Sequence, residues 1–275
     1  MPVISVLTPT HRPQRDYLMQ CAASVLSQQL PPGWDLEWML LQDGSPGVIT
    51  RLLDQLDLEG IWDSQDPHRR IMIGANPHQM GAAVSRNLLL GLCSGELVRA
   101  HDHDDILTPG ALAADIECHL AHPGLAWCAS PTTNLMDDGS LDGWADPPEG
   151  PIRRGQLARW WIERDHIIPI HPASVCARRE VLLAVGGWAA LPPMTEDVGL
   201  VVPLNMRFDG WFHNHLGLQY RIWDHQTSAD LTEDDPVRQA ACQFLDRRIA
   251  SLYGRFADTD PAIWSDWPTG PVTEV

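Results

Sequence analysis

Residues 97–105 read Leu-Val-Arg-Ala-His-Asp-His-Asp-Asp, a short apolar run that ends in a cluster of histidines and carboxylates. A buried strand followed directly by polar side chains is typical of the carboxyl edge of a parallel sheet, where open α/β folds bind their ligands. The stretch therefore predicts a parallel-sheet fold with a ligand site at this strand end.

Strand-like and helix-like segments alternate on both sides of this stretch. We predict strands at residues 3–8, 36–41, 70–73, 97–100 and 125–129, and helices at residues 17–28, 48–58, 81–93 and 109–120. Strands separated by helices of about ten residues form βαβ units. The predicted fold class is α/β, with a Rossmann-like, mostly parallel central sheet flanked by helices.

The second half of the chain is less regular. Residues 132–150 are rich in Asp, Gly and Pro, which predicts a loop. Helices are predicted at residues 156–163, 179–185, from 195 onward and at 236–253, and strands at residues 173–176 and 219–223. This half is expected to form an irregular C-terminal region.

The charged residues exclude several classes of enzyme. All 19 basic residues are Arg, and 36 acidic residues give the chain a formal net charge of −17. Without Lys there is no Schiff-base enzyme, no Walker A site and no kinase strand lysine. The acidic balance also argues against a nucleic-acid partner, and a chain of this charge needs a local Arg or a bound cation to handle phosphates.

The cysteines and the apolar runs bear on the compartment. The six cysteines show no CxxC spacing, and we predict that they are reduced, buried thiols of a cytoplasmic protein. No apolar run approaches the roughly 20 residues of a membrane span, so none is predicted. The cysteines are Cys21, Cys93, Cys118, Cys128, Cys176 and Cys242.

The acidic cluster after residue 100 predicts a cation site. In an extended segment Asp102 and Asp104 point to one side, and His101, His103 and Asp105 to the other. Closely spaced carboxylates repel one another unless a cation neutralises them, and oxygen ligands suit Mg²⁺ or Mn²⁺. The rival interpretation is a solvated acidic loop.

Two other metal or phosphate motifs share part of this cluster. His101, His103 and Asp105 resemble the HxHxDH zinc signature of the metallo-β-lactamase fold, but Ile106 stands at its last histidine. The DxD of haloacid-dehalogenase phosphatases follows the first strand and works with a lysine. Neither pattern agrees with a cluster that follows several βα units in a chain without Lys.

A series of short motifs in a fixed order resembles family 2 glycosyltransferases, which are inverting enzymes of the GT-A fold with a DxD motif. The likeness covers roughly residues 3 to 230. It departs from the family at Gln42, where Asp is common, and in the Pro/Trp-rich tail. The motifs lie at residues 3–10, 41–45, 81–87, 94–96, 102–105, 185–188 and 195–197.

The resemblance implies a donor site, a metal site and a catalytic base. Asp104 corresponds to the ligand of Mn²⁺ or Mg²⁺, with His225 as a looser candidate. Asp197 corresponds to the general base, next to Glu196; the alternative is that both acids only cap a helix. Trp188 and His171 are weak candidates for the acceptor side. The implied nucleotide-sugar residues are Thr8, Pro9, Thr10, Arg12, Asp43, Arg86, Asp102 and His103.

The function implied by the resemblance is transfer of a sugar from a UDP, dTDP or GDP sugar to an acceptor hydroxyl on a small molecule, glycan or glycoside. Residues 1–130 would bind the donor, residues 131–255 would bind the acceptor and supply the base, and residues 256–275 form the tail. A homodimer is compatible with this interpretation. The alternatives are a sugar-phosphate nucleotidyltransferase and a non-catalytic nucleotide-sugar-binding protein.

Overall fold

The centre of the protein is an eight-stranded sheet. The structure is a computed structural model, and it describes residues 1–44, 49, 51, 55–56, 63, 65–192, 195–224, 226 and 235–256. Numbered in chain order, four neighbouring parallel strands form one side: β3 (Arg69–Asn76), β2 (Asp35–Asp43), β1 (Val3–Thr10) and β4 (Leu97–Ala100). The other side continues with β10 (Val175–Arg178), β6 (Trp127–Ala129), β11 (Gly210–Phe212) and β9 (Gly150–Ile152).

Strand β10 changes the direction of the sheet, because it is antiparallel to both of its neighbours, β4 and β6. The β11 strand is parallel to β6, and β9 is antiparallel to β11. The sheet therefore combines a parallel half with a mixed half, and it takes strands from both of the regions that the sequence separates at residue 130.

A second, four-stranded sheet contains β5 (Ile106–Leu107), β12 (Leu218–Arg221), β7 (Thr132–Leu135) and β8 (Leu141–Gly143). The prediction of a loop over residues 132–150 was wrong at this point. The chain turns at Gly139, which has a φ of 81°, and β7 pairs with β8 in an antiparallel hairpin. An Asp-Gly pair between two short strands is itself a hairpin signal, which the overall composition of the segment concealed.

Seven helices flank the sheets in the described part of the chain. The predicted helices at residues 17–28, 81–93, 109–120, 156–163, 179–185 and 236–253 are confirmed to within a few residues. Most of the predicted helix at 48–58, and the tail after residue 256, lie outside the described residues. The helices are α1 (Arg15–Leu26), α2 (Ala82–Leu92), α3 (Ala111–Ala121), α4 (Gln156–Glu163), α5 (Arg179–Val185), α6 (Val198–Arg207) and α7 (Pro236–Phe256).

Each face of the main sheet carries its own apolar core. Successive residues of a strand point to opposite faces, so Val6 packs with α1 and α3 while Leu7 packs with α2, α6 and α7. Both side chains are fully buried. Helices therefore cover the sheet on both faces, which confirms the α/β class. Strands that are buried on two sides must be near-continuous apolar runs, as these are.

The cysteines and the helix lengths agree with the sequence predictions. All six cysteines are free and buried. Among the helices of the described residues, none combines the length and the apolar character that crossing a bilayer requires.

Candidate active site

A cavity of about 810 Å³ opens at the carboxyl edge of the parallel strands. Strands β1, β2 and β4 all end there, so the loops that follow them meet around one space. The start of α6 closes the opposite wall. The polar residues that line the cavity include Asp43, Arg86, Asp102, His103, Asp104, His171, Glu196 and Asp197.

Asp43, the last residue of β2, organises the loop before α2. Its Oδ1 atom accepts hydrogen bonds from Asn76 Nδ2 at 2.9 Å and from the Met80 amide at 2.8 Å, and its Oδ2 atom accepts one from the Gly81 amide at 2.8 Å. A carboxylate has about four acceptor positions. Two are therefore used to hold the loop, a third binds the end of β3, and one is left for a donor from a ligand.

Arg86 joins two carboxylates that are far apart in sequence. Its guanidinium donates to Asp102 Oδ1 and to Asp197 Oδ1, both at 2.6 Å, while only 3% of the side chain is exposed. Burial alone lowers the pKa of Arg86, but the charges of the two carboxylates raise it above its ordinary value. Arg86 is therefore a permanent cation between the loop after β4 and the start of α6.

Asp197 stands at the N-terminus of α6 but does not cap it. The side chain makes no capping hydrogen bond, and it points to Arg86 instead. Burial raises the pKa of Asp197, Arg86 lowers it and Asp102 raises it again, with a net upward direction. Asp197 therefore does not cap α6 through a side-chain hydrogen bond, and its carboxylate lies on the cavity wall.

Glu196 lies beside Asp197 and is less exposed. Its Oε1 atom is 3.7 Å from Arg86 Nη1, and its Oε2 atom is buried with no hydrogen-bond partner among the described residues. Burial, followed by the charge of Asp197, raises the pKa of Glu196 to about 8. Near neutral pH this side chain is therefore mainly a neutral acid.

Asn87 holds the backbone of Trp188, a neighbour of Asp197, and the sequence analysis missed this role. Its side-chain amide donates to the Trp188 carbonyl at 2.9 Å and accepts from the Trp188 amide at 2.8 Å. The Trp188 side chain in turn neighbours Asp197 and lowers the pKa of its carboxyl group. Gly187, with a φ of 69°, leaves room for Asn87, because a Cβ there would be 2.2 Å from Asn87 Oδ1. The available signal was the position of Asn87 directly after Arg86.

The rest of the acidic cluster is held by Arg221 of β12, which the sequence analysis also missed. The Arg221 amide donates to Asp105 Oδ1 at 2.9 Å, and its Nε donates to the Asp104 carbonyl at 2.7 Å. Asp105 is fully buried, and burial together with Asp104 raises its pKa. Asp105 therefore positions the loop, and it is Asp104 that lines the cavity.

The cluster fits a hard divalent cation. Asp104 Oδ2 accepts from Trp223 Nε1 at 2.9 Å, while Oδ1 has no hydrogen-bond donor among the described residues. Asp102 lies on the same wall, with 28% of its side chain exposed. Two carboxylates at a cavity surface are suitable ligands for Mg²⁺ or Mn²⁺. His225 lies outside the described residues.

An aromatic group forms another part of the wall. His171 packs against Tyr220, with ring centroids 4.5 Å apart, and meets the edge of Trp144 at 5.1 Å. Burial lowers the pKa of His171 to about 4, so its ring is neutral at physiological pH. The wall beyond it is apolar and includes Ile168 and Ile170.

The remaining predicted residues are distributed unevenly around the cavity. Pro9, Thr10 and His103 line it. Thr8 does not, because its hydroxyl is fully buried and accepts a hydrogen bond from Trp38 at 3.0 Å. Arg12 is exposed with a φ of 44° and is not part of the lining, and Trp188 is buried behind it.

Two curated proteins resemble parts of the sequence, and no protein-family model matches it. The chain is 31% identical to the O-antigen biosynthesis protein RfbC of Myxococcus xanthus over 187 residues, and this match covers 68% of the chain. It is 28% identical over 141 residues, or 50% of its length, to the uncharacterized protein y4gI of Sinorhizobium fredii. The chain spans only 13% and 14% of the lengths of these two relatives.

The solved structures of TarS from S. aureus share the fold. For TarS 1-349 the TM-score is 0.62 at 14% identity, and the match covers 98% of this chain and 76% of TarS 1-349. For TarS 1-349 in complex with UDP-GlcNAc the TM-score is 0.66 at 13% identity, with the same coverage. At these identities the likeness supports the fold, and it agrees with the α/β architecture described above.

Proposed function

We propose that the protein is a nucleotide-sugar-dependent glycosyltransferase that inverts the configuration of the transferred sugar. The observation that carries the proposal is the convergence of Asp43, Asp102, Asp104 and Asp197 on one cavity, from three separate parts of the chain. The likeness to RfbC and to a structure that binds UDP-GlcNAc supports the same class of reaction.

Donor recognition is assigned to the wall between β1, β2 and α2. The free acceptor position of Asp43 suits an N–H group of a nucleotide base, and two hydrogen bonds to Asp43 fix the loop before α2. Pro9 and Thr10 lie next to it on the same wall. A preformed polar contact of this kind selects the base without a structural rearrangement.

Asp197 is assigned as the general base. A hydroxyl loses its proton as it attacks, and a positioned carboxylate with a raised pKa is better matched to accept that proton than an ordinary one. Arg86 keeps Asp197 ionised and oriented through a 2.6 Å ion pair. Neutral Glu196 limits the repulsion that a further adjacent charge would create. In an inverting reaction the base and the leaving group lie on opposite sides of the sugar.

Asp104, with Asp102, would hold a Mg²⁺ or Mn²⁺ ion. Such an ion offsets the charge of a leaving diphosphate. The cavity wall requires this compensation, since its carboxylates outnumber its guanidinium groups and the chain has no Lys.

Two substitutions test the assignments separately. Asp197→Asn is expected to bind the donor normally and to lower transfer by at least about 100-fold, because general-base catalysis contributes about 10² to 10⁴. The measurement combines calorimetric binding of UDP, dTDP and GDP sugars with a product assay. Asp16→Asn, at an exposed carboxylate on α1, is the matched control. Near wild-type turnover in Asp197→Asn would remove Asp197 as the base.

The metal assignment is tested by Asp104→Asn. We expect this variant to lose the Mn²⁺-dependent part of UDP binding while keeping its fold, as judged by circular dichroism. Equal binding with and without Mn²⁺ in the wild type would contradict metal dependence. Failure of every nucleotide sugar in the panel to bind would contradict the proposed function as a whole.

A further inference from the structure

A second group of potential metal ligands lies outside the cavity lining. His119 comes from α3, Cys128 from β6 and Cys176 from β10. All three are buried, and none of them lines the cavity at the carboxyl edge. The group is therefore separate from the site assigned to the nucleotide sugar.

The geometry of the three side chains is that of a closed site. One nitrogen of His119 and the sulfur atoms of Cys128 and Cys176 all lie within 4.8 Å of one another. The two cysteines are direct partners in the pairing of β10 with β6, so the sheet itself holds the sulfurs together. Tetrahedral zinc with Zn–S bonds of about 2.3 Å separates its sulfur ligands by about 3.8 Å. Small side-chain movements would therefore bring these atoms to bonding distance.

The His119 ring has the environment of a ligand. Its Nδ1 atom is buried and has no hydrogen-bond partner among the described residues. Its Nε2 atom is 3.4 Å from the Cys176 carbonyl oxygen, close to the outer limit of a hydrogen bond. A backbone carbonyl commonly receives the second ring N–H of a metal-bound histidine and fixes its orientation. A bound metal would satisfy a ring nitrogen that burial otherwise leaves unpaired.

A fourth ligand is available from the same helix. Cys118 precedes His119 on α3 and lies outside the group of three atoms, but Cys128 is the first cause of a lowered pKa of the Cys118 thiol, so the two thiols are neighbours. Asp115 Oδ1 is 3.8 Å from Cys128 Sγ, but the Asp115 carboxylate is already bound by Arg99 and His213. Cys118 is therefore the better candidate to complete the coordination.

We propose that His119, Cys128 and Cys176, completed by Cys118, form a structural zinc site that ties α3 to the mixed half of the sheet. Thiolate and imidazole ligands select zinc over the hard cations that suit the carboxylates of the cavity. The protein then has two metal sites of different chemistry. No residue belongs to both.

The first test uses the full wild-type chain, purified without a polyhistidine tag under reducing conditions. Elemental analysis is expected to find about one zinc per chain after dialysis against metal-free buffer. After zinc removal, Co²⁺ is expected to produce a thiolate-to-cobalt charge-transfer band together with the visible bands of a tetrahedral site. Absence of both the zinc and the cobalt spectrum overturns the proposal.

Variants locate the metal. Cys176→Ala and the milder His119→Gln are expected to weaken zinc binding by more than the roughly 10- to 100-fold that is typical of changes outside the coordination shell. Cys93→Ala is the matched control, since Cys93 is also buried but lies at the end of α2, where it donates to the Leu90 carbonyl. Unchanged zinc affinity in folded His119→Gln, or an air-stable disulfide between Cys128 and Cys176 in place of metal, overturns the assignment.

Discussion

Replacing Glu196 with Gln removes a buried acid without changing its size. Burial and the charge of Asp197 raise the pKa of Glu196 from its usual 4.5 to about 8, so the folded protein binds this proton more tightly than the unfolded chain does. The stability that this group contributes is complete below pH 4.5 and is lost as the pH rises to about 8. The amide introduced by Glu196→Gln does not titrate, so the variant would show no such loss.

The size of the effect follows from the pKa difference. At about 1.4 kcal/mol for each pKa unit, the interval from 4.5 to about 8 corresponds to about 5 kcal/mol in total. Of this, about 3 kcal/mol falls between pH 5.5 and pH 8.5. Because Asp197 responds to the same charge, we expect Glu196→Gln to gain about 2 to 3 kcal/mol relative to the wild type over this range.

The assay is urea unfolding of both proteins at pH 5.5, 7.0 and 8.5. Glu37→Gln is the control, because Glu37 is buried as well but its pKa is lowered: burial raises it, and hydrogen bonds from Ser5, Ser94 and Arg70 outweigh that effect. Glu37 is ionised in both the folded and the unfolded state above pH 5.5. Its variant should therefore be less stable by a constant amount at all three pH values.

The reasoning about Glu196 is refuted if the difference between Glu196→Gln and the wild type changes by less than about 0.5 kcal/mol from pH 5.5 to pH 8.5, which is about a quarter of the smallest effect expected. Such a result would mean that Glu196 is ionised in the folded protein. The assignment of Glu196 as a neutral acid beside Asp197 would then be wrong.

Three further substitutions test the packing and the support of the site, all by urea unfolding. Arg99→Leu leaves Asp115 buried without its 2.6 Å ion-pair partner and should cost about 3 to 5 kcal/mol, whereas a loss below about 1 kcal/mol would show that the pair is not effectively buried. Gly210→Ala places a Cβ 2.2 Å from the Trp127 ring and should cost about 1 to 3 kcal/mol; a neutral effect would contradict the close contact. Asn87→Ala removes two hydrogen bonds to one peptide segment and should cost about 2 kcal/mol, together with reduced transfer; full transfer in a folded variant would exclude a positioning role.

The sequence was sufficient for features that depend on neighbouring residues. Apolar runs and helical periodicity arise from local patterning, so the strands and helices of residues 3–43 and 69–129 were predicted closely, except for the two-residue strand β5. The polar ends of β2 and β4 could also be predicted, because a strand that leaves the core must change from apolar to polar side chains. For this reason Asp43, Asp102 and Asp104 could be proposed for one edge before the fold was known.

The composition of a segment gave a wrong prediction where the strand that pairs with it lies far away in the sequence. Residues 132–135 look like part of a loop, yet they form β7 because β12, more than 80 positions later, offers a parallel edge. The direction of β10 is decided in the same way. Its antiparallel insertion between β4 and β6 reflects the packing of the second half, and no local signal encodes it.

The site shows the same division between local pattern and tertiary packing. The acidic pattern after β4 suggested Asp102, and the resemblance to family 2 glycosyltransferases implied roles for Arg86 and Asp197. Only the folded chain shows that Arg86 pairs with both carboxylates, the second of them 111 residues away, and that Thr8 points into the core. Burial then shifts the pKa of Glu196, a property that depends on which groups surround a side chain in space and that residue identity cannot supply.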